Sequence, residues 1–439
     1  MADNDTFTER LRRRRFLRLS GAAGAAGLAG CSQEGLQDDG SGNDDGSSND
    51  DGSGGDDTES APVDVGVVIP FSGDLTDFGT PMMNALEMAR EDINAAGGPL
   101  GREVELHDED TQTDSTAGVN AANSLVNTQD VSCLVGAVSS GITISIATSV
   151  ATENGVMQIT PASSSPSIST LEDDDLVFRT RTNDRFVAKV MARIAEDEGA
   201  DSAAVLHINN DFGASLADVF EAEFAGETTA VVGYESGQSS YQQVLSEVFD
   251  DEPEFLALAG YPESGTTILS QWNEQGYGGN WILHTSLLSE EVIDSVGAEI
   301  MNGMHGVRTL PPTGDATESF VTDYEEANPD AQLFSPYSWN SYDALVSYAL
   351  AVHAAGTTDS AAVKEEMRTV ANPPGEAVDY GAFGEGVGLL DDGTEIDYGG
   401  PSGSIDYDDN GDVASDMAVV EVVEGAFEDQ ETVPADELV

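Results

Sequence analysis

Apolar residues along this chain recur at two spacings that take turns. Val65, Val67 and Val68 lead an apolar run that predicts a strand over 63–71. Met82, Leu86, Ala89, Ile93 and Ala96 then fall at helical intervals. Gly97-Gly98-Pro99 closes that helix, a glycine cap followed by a residue that cannot extend it. Strands are predicted over 103–110, 131–138, 156–159 and 176–182, separated by helices over 115–128 and 142–153.

A second round begins at Asp184. Val187, Val190, Met191 and Ile194 line one face of a helix over 184–198. Strands over 203–208, 230–234, 255–259 and 281–284 alternate with helices over 214–224, 241–249 and 264–274. Helices over 318–327, 339–355 and 360–370 follow, and the remainder is rich in strands and turns. Near-continuous apolar strands between helices imply an α/β fold whose parallel sheets are covered on both faces. Two rounds imply two similar lobes.

The first 62 residues do not fit this pattern. Arg12-Arg13-Arg14-Arg15-Phe16-Leu17-Arg18 precedes a short Gly/Ala run that ends in Leu28-Ala29-Gly30-Cys31. The basic stretch resembles a twin-arginine export signal, and the second stretch resembles a lipobox in which cleavage leaves Cys31 lipidated. The expectation is an export signal over 1–31 and a protein tethered by lipid at the outer face of the cell membrane. Repeated Asp-Asp-Gly-Ser units over 32–62 cannot bury a core and read as a disordered acidic tether. Its mean span as a Gly-rich coil is about 30 Å. No later segment supplies the roughly 18 consecutive apolar residues of a spanning helix.

Charge changes the picture further. The chain of 439 residues carries 82 acidic and 16 basic side chains, a net charge of −66, and its only lysines are Lys189 and Lys364. Such self-repulsion destabilises a compact state in dilute salt, and molar salt screens it. The acids are spread along the whole chain, which points to an extremely saline setting rather than to a basic partner. A nucleic-acid partner is disfavoured, because phosphate contacts need Lys and Arg.

Catalytic and metal motifs are not found. Neither lysine follows a glycine, so a phosphate-binding Gly-x-x-x-x-Gly-Lys loop is excluded. His107, His207, His284, His305 and His353 are scattered, without zinc-ligand spacing. Asp406-Tyr407-Asp408-Asp409-Asn410-Gly411-Asp412 imitates half of a calcium loop, but Met417 stands where a bidentate Glu is required, so a turn at Asn410-Gly411 is expected. Cys133 lies in an apolar run and reads as a buried, inert thiol. The expectation is that the chain is not an enzyme, with no catalytic residue, cofactor or resident metal.

Several stretches together resemble the type I periplasmic binding proteins of branched-chain amino acid ABC importers, the leucine/isoleucine/valine-binding protein family, here as a lipoprotein of haloarchaeal type. They are Val65-Gly66-Val67-Val68-Ile69-Pro70-Phe71-Ser72-Gly73, Asp92-Ile93-Asn94-Ala95-Ala96-Gly97-Gly98 and Asp108-Glu109-Asp110-Thr111-Gln112-Thr113-Asp114. Val135-Gly136-Ala137-Val138-Ser139-Ser140-Gly141 and Ile159-Thr160-Pro161-Ala162-Ser163-Ser164-Ser165-Pro166 complete the set. The resemblance implies two α/β lobes joined by three crossovers and closing like a clamshell. Lobe 1 would be 63–182 plus 309–372, and lobe 2 would be 183–308 plus 373–439. It implies partners as well: a small amino acid or carboxylate ligand, and an ABC permease with its ATPases. A ligand-sensing receptor on the same fold is the alternative, and a monomer is expected in either case.

Positions matching Ser140 and Ser164 hold the ligand carboxylate in the family, and those matching Ala162 and Ser164 meet the ammonium. Positions matching Phe78, Phe212 and Tyr261 line the cleft, with Phe78 and Phe212 replacing tyrosines. Ser286 stands where the prototype has an acid that pairs with the ligand ammonium, and Glu290 or Glu291 would have to substitute. Losing one partner of a buried charge pair costs about 3–5 kcal/mol. The resemblance therefore implies a carboxylate or amide ligand more securely than a free α-amino acid. No Arg lies in these loops, so binding is expected to rest on neutral donors.

Overall fold

The computed structural model describes residues 61–73, 75–310, 313–329 and 337–438. The expected signal over 1–31 with its Cys31, and all but the end of the expected tether over 32–62, lie outside the described residues. The first half runs β1 (Val63–Ile69), α1 (Thr76–Ala95), β2 (Val104–Asp110), α2 (Ser115–Ser124), β3 (Cys133–Gly136), α3 (Ser140–Ile146), β4 (Met157–Thr160) and β5 (Val177–Arg179). These strands form one parallel sheet in the order β2-β1-β3-β4-β5. After α1 the chain reverses at Gly98, with φ 68°, where an added Cβ would lie 1.7 Å from the Arg102 carbonyl oxygen. Only glycine accepts both conditions.

The second round is α4 (Asp184–Asp197), β6 (Ser202–Ile208), α5 (Asp211–Glu223), β7 (Glu227–Tyr234), α6 (Gln242–Val248), β8 (Phe255–Ala259), α7 (Pro262–Gln275), β9 (Asn280–Leu283), α8 (Glu290–Val296) and β10 (His305–Thr309). The chain then forms α9 (Asp315–Ala327), α10 (Ser338–Ala355), α11 (Ser360–Ala371), β11 (Glu376–Val378), α12 (Phe383–Asp391), β12 (Ile396–Gly400), β13 (Gly403–Ser404), β14 (Met417–Val423) and β15 (Ala426–Val433). The second sheet has the order β15-β14-β10-β9-β8-β6-β7, antiparallel only where β14 joins β10 and β15. Both sheets reverse strand order, at β2-β1-β3 and at β7-β6-β8. Ligands of open parallel sheets bind at the carboxyl ends of strands near such reversals.

Two cores result. One gathers Val65, Val67, Ile93, Val135, Ile159 and Phe178 with Phe320, Leu345 and Met367. The other gathers Phe186, Met191, Val205, Leu216, Leu256, Trp281 and Val307 with Val419 and Val433. The boundary expected at 373 is corrected by the packing. Val378, Phe383, Ile396, Tyr398, Ile405 and Tyr407 are buried in the first core, so the chain returns to the second only between Val413 and Met417. This stretch is rich in Gly and Asp and lacks apolar periodicity, so only its contacts reveal where it belongs.

The three crossings lie side by side. Thr182 bridges Val413 and bonds Ser415 through its hydroxyl at 2.6 Å, and the Leu310 N–H donates to the Asp416 carbonyl at 2.8 Å. Cys133 is buried in β3, and burial pushes its thiol pKa up. Among the described residues no helix is long and apolar enough to cross a membrane.

Candidate functional site

The loops after β3 and β4 leave the carboxyl edge of the first sheet and are sewn together. Ala137 N–H donates to Thr143 Oγ1 at 2.9 Å, Thr160 Oγ1 donates to the Ala137 carbonyl at 2.8 Å, and Ser163 N–H donates to Thr160 Oγ1 at 3.0 Å. Ser140 opens α3, and its Oγ accepts the Ser165 N–H at 3.3 Å. Ser140 and Ser164 are thus brought to one place, with Ala162 buried beside them. First-turn N–H groups lack acceptors within a helix.

A buried arginine holds the second loop. Arg179 is fully buried, and its Nη1 donates to the Ser165 carbonyl at 2.9 Å and the Ser163 carbonyl at 3.4 Å. Its Nε donates to Asp412. Burial pushes the Asp412 carboxyl up, but Arg179, Ser169 and Asn183 outweigh that and hold it below the usual carboxylate range. Asp412 belongs to the calcium look-alike. There Asp408 accepts the Asn410 and Asp412 N–H groups at 2.8 and 3.0 Å, and Gly411 has φ 72°. The segment is a turn, and its last acid serves the serine loop.

Asp184, absent from the expected set, sits beneath that loop. It is the first residue of α4, capped by Asn183, and has no exposed surface. Ser164 Oγ donates to Asp184 Oδ2 at 2.6 Å, while Oδ1 is buried without a hydrogen-bond partner and lies 3.4 Å from His284 Nε2. Burial raises the Asp184 pKa, yet the facing imidazole, Arg181 and the Ser164 hydroxyl outweigh it and hold the carboxyl below its ordinary value. The site therefore contains a buried carboxylate.

The second lobe contributes a wall from the ends of β6, β8 and β9. Phe212 stacks on Tyr261 with ring centroids 5.8 Å apart and meets the His284 ring edge-on at 4.9 Å. Asn210 Nδ2 donates to the Tyr261 hydroxyl at 3.3 Å. Ser286 donates its hydroxyl to the Gly260 carbonyl at 2.5 Å and its N–H to His284 Nδ1 at 3.1 Å. Nδ1 therefore accepts, which leaves Nε2 as the N–H that faces Asp184. Ser286 thus orients a histidine here, in the place where an acid was expected. Glu290 and Glu291 are exposed in the first turn of α8.

From the first lobe, Phe78 on α1 packs against Tyr337, which precedes α10, with centroids 5.4 Å apart. The Arg181 guanidinium lies 5.7 Å over the same Tyr337 ring. The lobes touch at the rim. Ser165 Oγ is 2.8 Å from Ser215 Oγ, and a Cβ at Gly141 would come within 2.6 Å of Asp211 Oδ2. Glycine at 141 lets the starts of α3 and α5 approach this closely. Asp184 and Arg181 place charge beside these neutral donors.

Outside the cleft, Asp64, Glu105 and His107 place carboxylate and imidazole atoms within 4.8 Å of one another on β1 and β2. His107 Nε2 is already engaged by Asp64 at 2.7 Å.

Residues 62–426 match the family model described as periplasmic binding protein. The chain belongs to that family. This binding protein is 29% identical over 353 residues to the chemotactic signal transduction system substrate-binding protein BasB of Halobacterium salinarum, covering 79% of this chain and 83% of that one. It is 28% identical over 317 residues to Leu/Ile/Val-binding protein homolog 3 of Brucella melitensis, covering 70% and 83%. Its fold matches the leucine binding protein LivK of Thermotoga maritima with a TM-score of 0.69 and 25% identity, over 86% of this chain and all of that one. It also matches LivJ of Streptococcus pneumoniae, solved with isoleucine, with a TM-score of 0.66 at 20% identity, over 85% and 99%. These are binding proteins of the type I periplasmic fold and not enzymes.

Sequence reasoning missed Asp184, His284, Arg181 and Tyr337. Asn183-Asp184 reads as an ordinary helix start, since acids favour the first turn. His284 could have been found, because it ends a parallel strand at the carboxyl edge where ligands bind.

Proposed function

We propose that this binding protein is the solute-capturing lipoprotein of an ABC importer, held at the outer face of the membrane through Cys31, and that it takes a small α-amino acid. The Asp184 carboxylate beneath the two serine loops carries this reading. It supplies the anionic partner for an ammonium that Ser286 does not. First-turn N–H groups of α3 with the Ser140 hydroxyl suit the ligand carboxylate, while the Ser164 hydroxyl, donated to Asp184 Oδ2 at 2.6 Å, holds that acid in place. The Ala162 carbonyl and Asp184 suit its amino group. Phe78, Phe212, Tyr261 and Tyr337 surround its side chain. Ligand touching both lobes biases an open–closed equilibrium toward closure, and the closed form is the one a permease with its ATPases would receive.

A thermal-shift screen of amino acids, amides and aromatic carboxylates in molar salt tests the reading. The Ser140→Ala/Ser164→Ala double variant is expected to bind the best of these at least about 100-fold more weakly, by loss of the Ser140 hydroxyl to the ligand and of the Ser164 bond that positions Asp184, with a lowered melting temperature but a folded circular dichroism spectrum. Retained affinity removes the serines from the site.

Cys31→Ser is expected to shift the protein from the membrane fraction into the medium or to leave its precursor uncut. Unaltered membrane attachment in a fractionation blot argues against the lipid anchor.

The likeness to BasB favours a second reading, ligand sensing on the same fold. Uptake of labelled ligand that is lost on deletion supports transport. Normal uptake with lost taxis toward the ligand supports sensing.

A further inference from the structure

The chain has few cations for its many acids, and among the described residues its other arginines are engaged by oxygen partners. Arg90 pairs with Glu87, Arg179 with Asp412, Arg185 with Asp408, Arg193 with Glu431, Arg308 with Asp429 and Arg368 with Asp175. Arg102 donates to the carbonyls of Ala61 and Pro62 at 2.5 and 2.6 Å. Arg181 differs. Among the described residues its one hydrogen bond is from Nη1 to Thr309 Oγ1, at 3.5 Å, the outer limit of such a bond, and no carboxylate pairs with it. It stands over the Tyr337 ring in the cleft, and its charge acts on Asp184 and Tyr337.

A structural role would pair this guanidinium with one of the abundant carboxylates. A planar fork of donors held on an aromatic face, next to the amino-group position and with no hydrogen-bonded carboxylate among the described residues, matches the end of a carboxylate side chain. We infer that Arg181 is a specificity-determining residue that receives a second anionic group on the ligand, so that the cleft prefers an acidic α-amino acid over a branched aliphatic one. This rests on the amino-acid reading above. It gives three polar points, with the serine loops for the α-carboxylate, Asp184 for the amino group and Arg181 for the distal carboxylate.

Titration calorimetry in molar potassium chloride with L-glutamate, L-aspartate, L-glutamine and L-leucine tests it. Glutamine has the shape of glutamate without the charge. Wild type is expected to bind glutamate or aspartate about 10- to 100-fold tighter than glutamine, the range of a hydrogen bond between charged groups. Arg181→Gln should erase that preference. Arg181→Lys should keep part of it, since the charge stays and the fork is lost. Circular dichroism and melting temperature check that each variant is folded. Binding of leucine or glutamine equal to or tighter than that of the acids overturns the inference and leaves the amino-acid reading standing. A preference unchanged in Arg181→Gln does the same. No binding of any of the four in wild type overturns the inference, and the thermal-shift screen then decides the amino-acid reading.

Discussion

Asp184→Asn is expected to weaken binding of an α-amino acid by about 100- to 1000-fold, the largest effect of any single substitution in the cleft. The asparagine keeps the shape and can still accept the Ser164 hydroxyl, which bonds Asp184 Oδ2 at 2.6 Å. The charge is lost, and an ammonium buried without its anionic partner costs about 3–5 kcal/mol, at about 1.4 kcal/mol per tenfold. The pH dependence has a definite sign. The Asp184 carboxyl is held below its ordinary value of 3.8. A depressed carboxyl contributes stability that is fully present above its unfolded pKa and lost as the pH falls through the folded one. Wild-type affinity should therefore be level through neutral pH and fall only in acid, below about pH 4. Calorimetry on wild type and variant from about pH 8 down to about pH 3 checks both statements. A variant within tenfold of wild type would show that the amino group is held elsewhere.

Lowering the salt from molar to about 0.05 M is expected to unfold the protein, with a midpoint at a few tenths molar. With 82 acids against 16 basic side chains, most carboxylates have no cation of their own. The pairs that exist consume the arginines. Arg368 holds Asp175 through two bonds of 2.8 Å, and Arg308 holds Asp429 at 2.5 Å. What remains is repulsion among surface acids. Its range is set by the Debye length, about 10 Å at 0.1 M and about 3 Å at 1 M. Salt also strengthens or weakens burial according to its ions, so potassium chloride and potassium sulfate should give different midpoints. Far-UV circular dichroism through the titration is the measurement. An unchanged spectrum at 50 mM contradicts the halophilic reading of the charge.

Much of the fold was legible because helix and strand periodicities are local. The strand from Val63 and the helix that ends at Ala95 follow from apolar spacing and from the glycines at positive φ that come after it. The serine loops were legible for a related reason, since a Ser-Ser-Gly between strand and helix marks a helix start at the carboxyl edge of a sheet. The segment after residue 373 was not legible, because its assignment depends on Tyr398, Tyr407 and Ile396 finding partners on α10 and α11 across the first core. Met417 likewise declares its place only by pairing with Thr309 and Val433.

By itself the sequence determined the alternation of elements, the two rounds, the family and the acidic surface, all of which depend on neighbours within a few turns of chain or on composition. The charge in the cleft was decided by tertiary structure alone. Asp184 is an unremarkable helix-start acid until β4, α4 and β9 bring the Ser164 hydroxyl onto its carboxylate and His284 Nε2 to 3.4 Å from it. Arg181 is one more crossover residue until Tyr337, far along the chain, lies under it. Electrostatic character belongs to positions in space, and only the three crossings placed these charges together.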